Sequence, residues 1–133
     1  MSQDAVRDLL RRRGAPEHLV EGGLAGLVAE WEKTAQSVAA GYPLGLDDYL
    51  NDMDLRQLLA DALDCANDIA RLRVLERLTR ADDLLRAHSV PMQRCLWGEA
   101  VARYHGWEPE PNWWYFRQPR DPGPELAEDL AGR

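Results

Sequence analysis

The chain has 133 residues, 45% of them hydrophobic and 29% charged, with a net charge of −7 and a pI near 4.9. That is the size and balance of one ordinary globular domain with a real core, not of a disordered segment. The acidity excludes a general nucleic-acid binder, which needs a basic face, and disfavours a surface that lies on anionic lipid. It suits recognition of another protein that is basic where it docks.

Arginine supplies nearly all the positive charge and Lys33 is the sole lysine. This is the pattern expected from the codon bias of a GC-rich, bacterial-type genome, and no function is drawn from it. Cys65 and Cys95 stand far apart among apolar residues, as buried free thiols do, and not in a disulfide or zinc pattern. The start MSQDAVRDLL lacks a signal-peptide pattern, and no apolar run is long enough to span a bilayer, so the cytoplasm is the expected compartment.

In chain order, Ser2 is placed to cap a first helix that buries Val6, Leu9 and Leu10. RRRG closes it, with arginines at the negative end and Gly14 in the left-handed cap. Pro16 opens a second helix. Its stripe is Val20, Leu24, Leu27, Trp31, Ala35 and Val38, and it runs through Gly22 and Gly23. Each glycine costs about 1 kcal/mol against Ala in a helix interior. Either another helix approaches closely there or the helix breaks. Gly41 ends it.

GLDDYLNDMD follows, residues 45–54, with four aspartates and an asparagine. Tyr49, Leu50 and Met53 share one side of a helical wheel. The next stripe, Leu55, Leu58, Ala62, Cys65, Ile69 and Leu72, lies roughly opposite. A straight helix cannot bury both, so a break is expected between about 51 and 54. Asp47 then caps a short helix, and Asp54 with Gln57 forms a capping box, with Asp52 as a competing cap. Val74, Leu78, Ala81 and Leu85 form a further stripe. Residues 54–88 are either one helix apolar on two sides or two helices, with Asn67 or Asp68 capping the restart. Glu76–Arg80 and Asp82–Arg86 have the spacing of helix-stabilising pairs. The next helix runs from Ser89 or Val90 to Gly106, with Pro91 in its first turn. Proline density from Trp107 onward forbids long helices. NWWYF suits an extended segment, and the last residues a terminal turn or frayed tail.

The expected fold is therefore all-α: an irregular bundle of five or six helices forming a single domain over 1–133. Residues 1–106 are the helical body, 107–120 an extended aromatic and proline-rich arm, and 121–133 the tail.

Four features invite chemistry. Asp48 and Asp52 lie one turn apart and could share a divalent cation with Glu30, Glu32, Asp61 or Asp64. Solvated first-turn acids are the commoner explanation. None of His18, His88 and His105 has a metal-ligand partner at the right spacing. Cys95 and His105, on one helix, would sit about 15 Å apart. Arg73, Arg77 and Arg80 line a helix side that local carboxylates can neutralise. The aromatic arm either closes the core or leaves one face open as a binding surface of Trp107, Trp113, Trp114, Tyr115 and Arg117.

These features suit a small acidic interaction or regulatory module, of inhibitor or immunity type, that needs no cofactor and is not an enzyme. The alternative is a metal-dependent hydrolase using Asp48 and Asp52. It rests on analogy with all-α nucleotide pyrophosphohydrolases, which carry acidic clusters on helices, and no full motif accompanies the analogy.

Overall fold

The structure, a computed structural model, describes the backbone of residues 2–133 and the side chains of residues 5–133. The expected cap is the Ser2 side chain, which falls outside the described side chains. Six α-helices are present among them: α1 (Ser2–Arg12), α2 (Glu17–Ala40), α3 (Leu46–Cys65), α4 (Asp68–Ala87), α5 (Glu99–His105) and α6 (Pro124–Ala131). Two three-residue strands, β1 (Ser89–Pro91) and β2 (Arg117–Pro119), pair antiparallel with Val90 opposite Gln118. The fold is the expected irregular all-α bundle, with α2 at its centre against α1, α3 and α4.

The stripe on α2 behaves as read: Val20, Leu24, Leu27, Trp31, Ala35 and Val38 are all buried. The glycine question resolves as a break. Gly23 sits at φ 60°, ψ −150°, inside an otherwise helical run. Only glycine adopts that backbone without strain, so the kink is written into the sequence.

The expected break between 51 and 54 does not occur, and α3 is continuous. Its buried residues are Tyr49, Leu50, Met53, Arg56, Leu59 and Ala62. From Leu50 they advance by threes. At 3.6 residues per turn, each such step falls back about 60° around the helix. The buried face therefore winds. At its start α3 meets α6, where the Leu46 amide donates to the Asp129 carboxylate at 2.9 Å. Near its end Arg13 reaches Asp61 at 2.9 Å. Of the second apolar side, Ala62 joins this winding face, whereas Leu55 and Leu58 are only partly buried. Gly45 precedes the helix with no side-chain cap, so neither Asp47 nor Asp54 caps it; Asp129 of α6 supplies the acceptor.

Between α3 and α4 the chain does break. Asn67 caps α4, its Oδ1 accepting from the Ala70 amide at 2.9 Å. Val74, Leu78, Ala81 and Leu85 are buried as expected, but Cys65, Ile69 and Leu72 are exposed. Cys65 is thus not the buried thiol its apolar neighbours suggested; Ile69 and Leu72, next along its stripe, face outward too. Cys95 is buried, and burial pushes its thiol up.

The helix expected from residue 89 to 106 begins only at Glu99. Ser89–Pro91 is a strand instead. Edge pairing tolerates Pro91, which has no amide to donate. Cys95 therefore does not share a helix with His105. The NWWYF segment is not extended: Trp113–Phe116 is a 3-10 helix whose Trp114, Tyr115 and Phe116 are buried. The tail forms α6, anchored by a fully buried Leu126. Gly123 lets it dock, because a Cβ there would lie 2.4 Å from the Tyr42 carbonyl oxygen.

A buried ion pair pins these layers together. Asp82 of α4 accepts from Arg56 of α3 twice, Nε at 3.1 Å and Nη2 at 3.0 Å, and from the Trp31 indole of α2 at 2.8 Å. The Arg56 guanidinium lies 4.4 Å from the centre of the Trp114 ring and 5.8 Å from that of Trp31. A charge is tolerated here because it is paired, hydrogen-bonded and covered by ring faces. Asp82 therefore does not pair with Arg86, which reaches Asp83 at 3.9 Å.

Candidate functional site

Immediately beside that pin, Tyr115 faces the opposite way, into a surface cleft of about 780 Å³. The cleft lies between α3 and α5, with the turn after α1 at its rim and Trp107 and Tyr115 forming one wall. Ligand sites typically span about 300–1,000 Å³.

Spacing along α3 supplies the acidic floor. Asp54, Gln57, Leu58 and Asp61 fall at i, i+3, i+4 and i+7, one side of a helix. Asp54 Oδ1 accepts from the Tyr115 hydroxyl at 2.7 Å and the Trp97 indole at 3.0 Å. Its Oδ2 accepts nothing from the described residues. Burial above all, and then the bond to Asp54, pushes the Tyr115 phenol far up, so it stays a proton donor at any physiological pH. Asp61 is held on both oxygens, by Gln57 at 3.2 Å and by Arg13 at 2.9 Å. Asn112 Nδ2 donates to Gln57 Oε1 at 2.9 Å and so ties the aromatic segment to this floor.

Aromatic rings make the wall. His105 stacks on Trp107 with centroids 4.4 Å apart, and Trp107 on Tyr115 at 3.9 Å, both nearly parallel. The left-handed Gly106 that ends α5 turns the chain between His105 and Trp107, so consecutive aromatics can stack rather than diverge. Trp97 is 37% exposed although its indole N–H is engaged.

The expected aromatic surface divides. Trp107 and Tyr115 line the cleft, whereas Trp114 lies in the core against Arg56. Trp113 is half-buried beneath Arg86, whose guanidinium sits 4.0 Å from its ring centre. Arg117 braces the strand pair, donating to Ser89 Oγ at 2.8 Å and to the Ser89 and Arg86 carbonyls. Burial, and then Arg86, pulls its guanidinium below the usual range.

Asp48 and Asp52 lie elsewhere. Asp52 accepts from the Tyr42 hydroxyl at 2.6 Å, and Asp48 is exposed. Burial chiefly raises the Asp52 carboxyl; the Tyr42 bond opposes this, while Asp48 and Glu30 add to it. Glu32 is taken by Arg77 and Asp61 by Arg13, and no three metal-ligating side chains gather among the described residues. Arg77 and Arg80 are paired, with Glu32 and Glu76. Sequence reading missed the cleft because Asp54 looked like a cap. The 54–57–61 spacing was the signal available for it.

No family model, curated protein or solved structure matches the chain.

Proposed function

We propose that the chain is a small acidic protein-interaction module of regulatory type, working in the cytoplasm, whose partner docks at the cleft between α3 and α5. One observation carries this: the cleft joins exposed aromatic surface to a carboxylate whose second oxygen is free to bind. Aromatic anchors in a polar setting are what protein recognition uses. The acidic surface steers basic partners toward it. No helix among the described residues is long and apolar enough to cross a membrane, which suits a free module.

The test is selection from a random peptide display library. The wild type is expected to enrich related sequences whose binding falls at least about tenfold with Trp97→Ala, a loss of ~1.4 kcal/mol. Enriched peptides that bind Trp97→Ala and Trp107→Ala variants as well as the wild type would place recognition elsewhere. Failure to enrich any sequence would count against the module itself.

A further inference from the structure

Among the described residues, two aspartates accept an indole N–H on Oδ1. In the core, Trp31 donates to Asp82 at 2.8 Å, and the same carboxylate takes the Arg56 guanidinium, which also lies over tryptophan faces. In the cleft, Trp97 donates to Asp54 at 3.0 Å and Tyr115 completes Oδ1 at 2.7 Å. The donor sets differ in charge. Asp82 has a guanidinium, whereas Asp54 has only neutral donors among the described residues. An ionised carboxylate beside aromatic rings favours a planar cation that can both hydrogen-bond and lie against a ring. Arginine does this better than lysine, whose ammonium is a compact and strongly hydrated point charge.

The cleft also shows how it treats a guanidinium of its own. Arg13, from the turn after α1, reaches over the rim and binds Asp61 at 2.9 Å, with its side chain still 50% exposed. That side chain adds positive charge to the cleft and covers the second carboxylate.

Resting on the docking reading above, we infer that the cleft reads an arginine side chain of the partner. The guanidinium binds Asp54 Oδ2 beside the exposed Trp97 ring, and Arg13 is a built-in competitor that weakens this binding. The unusual consequence is a gain. Removing Arg13 takes away the repulsion and frees Asp61, so affinity for an arginine ligand rises.

The probes are acetyl-Gly-Arg-Gly-amide and the same tripeptide with citrulline, the neutral isostere, titrated into the ¹⁵N-labelled full chain. The reporter is the Trp97 indole N–H resonance. Saturable binding of the arginine probe is expected, with Kd on the order of a millimolar for so small a ligand. The citrulline probe should bind at least about tenfold more weakly. Asp54→Asn keeps the Oδ1 acceptor but turns Oδ2 into a donor, and should abolish the preference for arginine. Arg13→Ala and Arg13→Gln, both at an exposed site, should tighten arginine binding by about three- to tenfold.

Equal binding of both probes, or weaker binding after loss of Arg13, overturns the inference. If neither probe shifts the indole while library-selected peptides still bind in a Trp97-dependent way, the arginine assignment falls and the docking site stands. If no selected peptide depends on the cleft, the docking site falls as well.

Discussion

Replacing Asp82 by Ala removes the acceptor of three hydrogen bonds at once and leaves two groups stranded in the core. Arg56 is 6% exposed, and its Nη1 already lacks a hydrogen-bond partner. Without Asp82 its charge has no counter-ion. Breaking a buried pair from one side costs about 3–5 kcal/mol. The Trp31 indole N–H, in a fully buried residue, loses its partner too, for roughly 1–3 kcal/mol. The two costs overlap, because one relaxation serves both, so the expected loss is about 4–6 kcal/mol. Domains of this kind have about 5–15 kcal/mol in total, so the variant should be marginal at 37 °C. Urea unfolding followed by tryptophan fluorescence and circular dichroism measures the loss as a fall in midpoint. Asp82→Asn, which keeps an acceptor for Trp31, should lose less. The double change Arg56→Met with Asp82→Leu should recover at least half of the single-variant loss, since apolar replacement of a whole pair is often neutral. A loss below about 1 kcal/mol for Asp82→Ala would refute the reasoning. So would a double variant as unstable as the single.

Asp52→Asn should stabilise the fold at neutral pH. The folded-state pKa of Asp52 is raised, chiefly by burial, so its protonated form favours the folded state. Its contribution is full below the ordinary carboxyl range and is lost as pH rises through the raised value. Denaturant midpoints measured at several pH values should show that fall in the wild type and its absence in the variant. Glu32 has the opposite sign. The hydrogen bond from Arg77 lowers its pKa, so its stabilisation holds above the ordinary value and fades as pH drops through the lowered one. Glu32→Gln should flatten that part of the acid limb, and with both partners partly exposed the neutral-pH cost should stay within about 1 kcal/mol and shrink in high salt. Asp129→Ala should cost about 1 kcal/mol by uncapping α3, and Asp129→Asn distinctly less, in the same unfolding assay. Gly123→Ala should cost about 1–3 kcal/mol, because its Cβ would lie 2.4 Å from a backbone oxygen with no flexible group to give way.

Where a helix keeps its apolar residues on one regular stripe, the sequence is legible. The α2 stripe, the α4 stripe from Val74 and the helix-ending glycines at 14, 41 and 106 follow local rules and appear as expected. Local rules fail on α3, whose neighbours change along its length. The buried set there includes a charged residue, Arg56, and no pattern of hydrophobic residues could include it. Arg56 is explained only by Asp82, 26 positions away, whose other donor Trp31 lies 51 positions from it. The same holds at the candidate site. Trp107 and Tyr115 were recognisable as aromatics with a role, but Asp54 was indistinguishable from a helix cap until Trp97, 43 residues away, was seen to point at it. Asp48 and Asp52, the conspicuous acids, have different settings: Tyr42 holds Asp52, and Asp48 is exposed.

The docking site and its arginine ligand meet in one comparison. The dissociation constant of the arginine tripeptide is measured by the Trp97 indole shift for the wild type, Asp54→Asn and Arg13→Ala under identical salt. The predicted order is Arg13→Ala tightest, wild type intermediate and Asp54→Asn weakest, with the two variants moving in opposite directions. Variants that both weaken binding, or that both leave it unchanged, would contradict a cleft that reads arginine through Asp54 with Arg13 as its competitor.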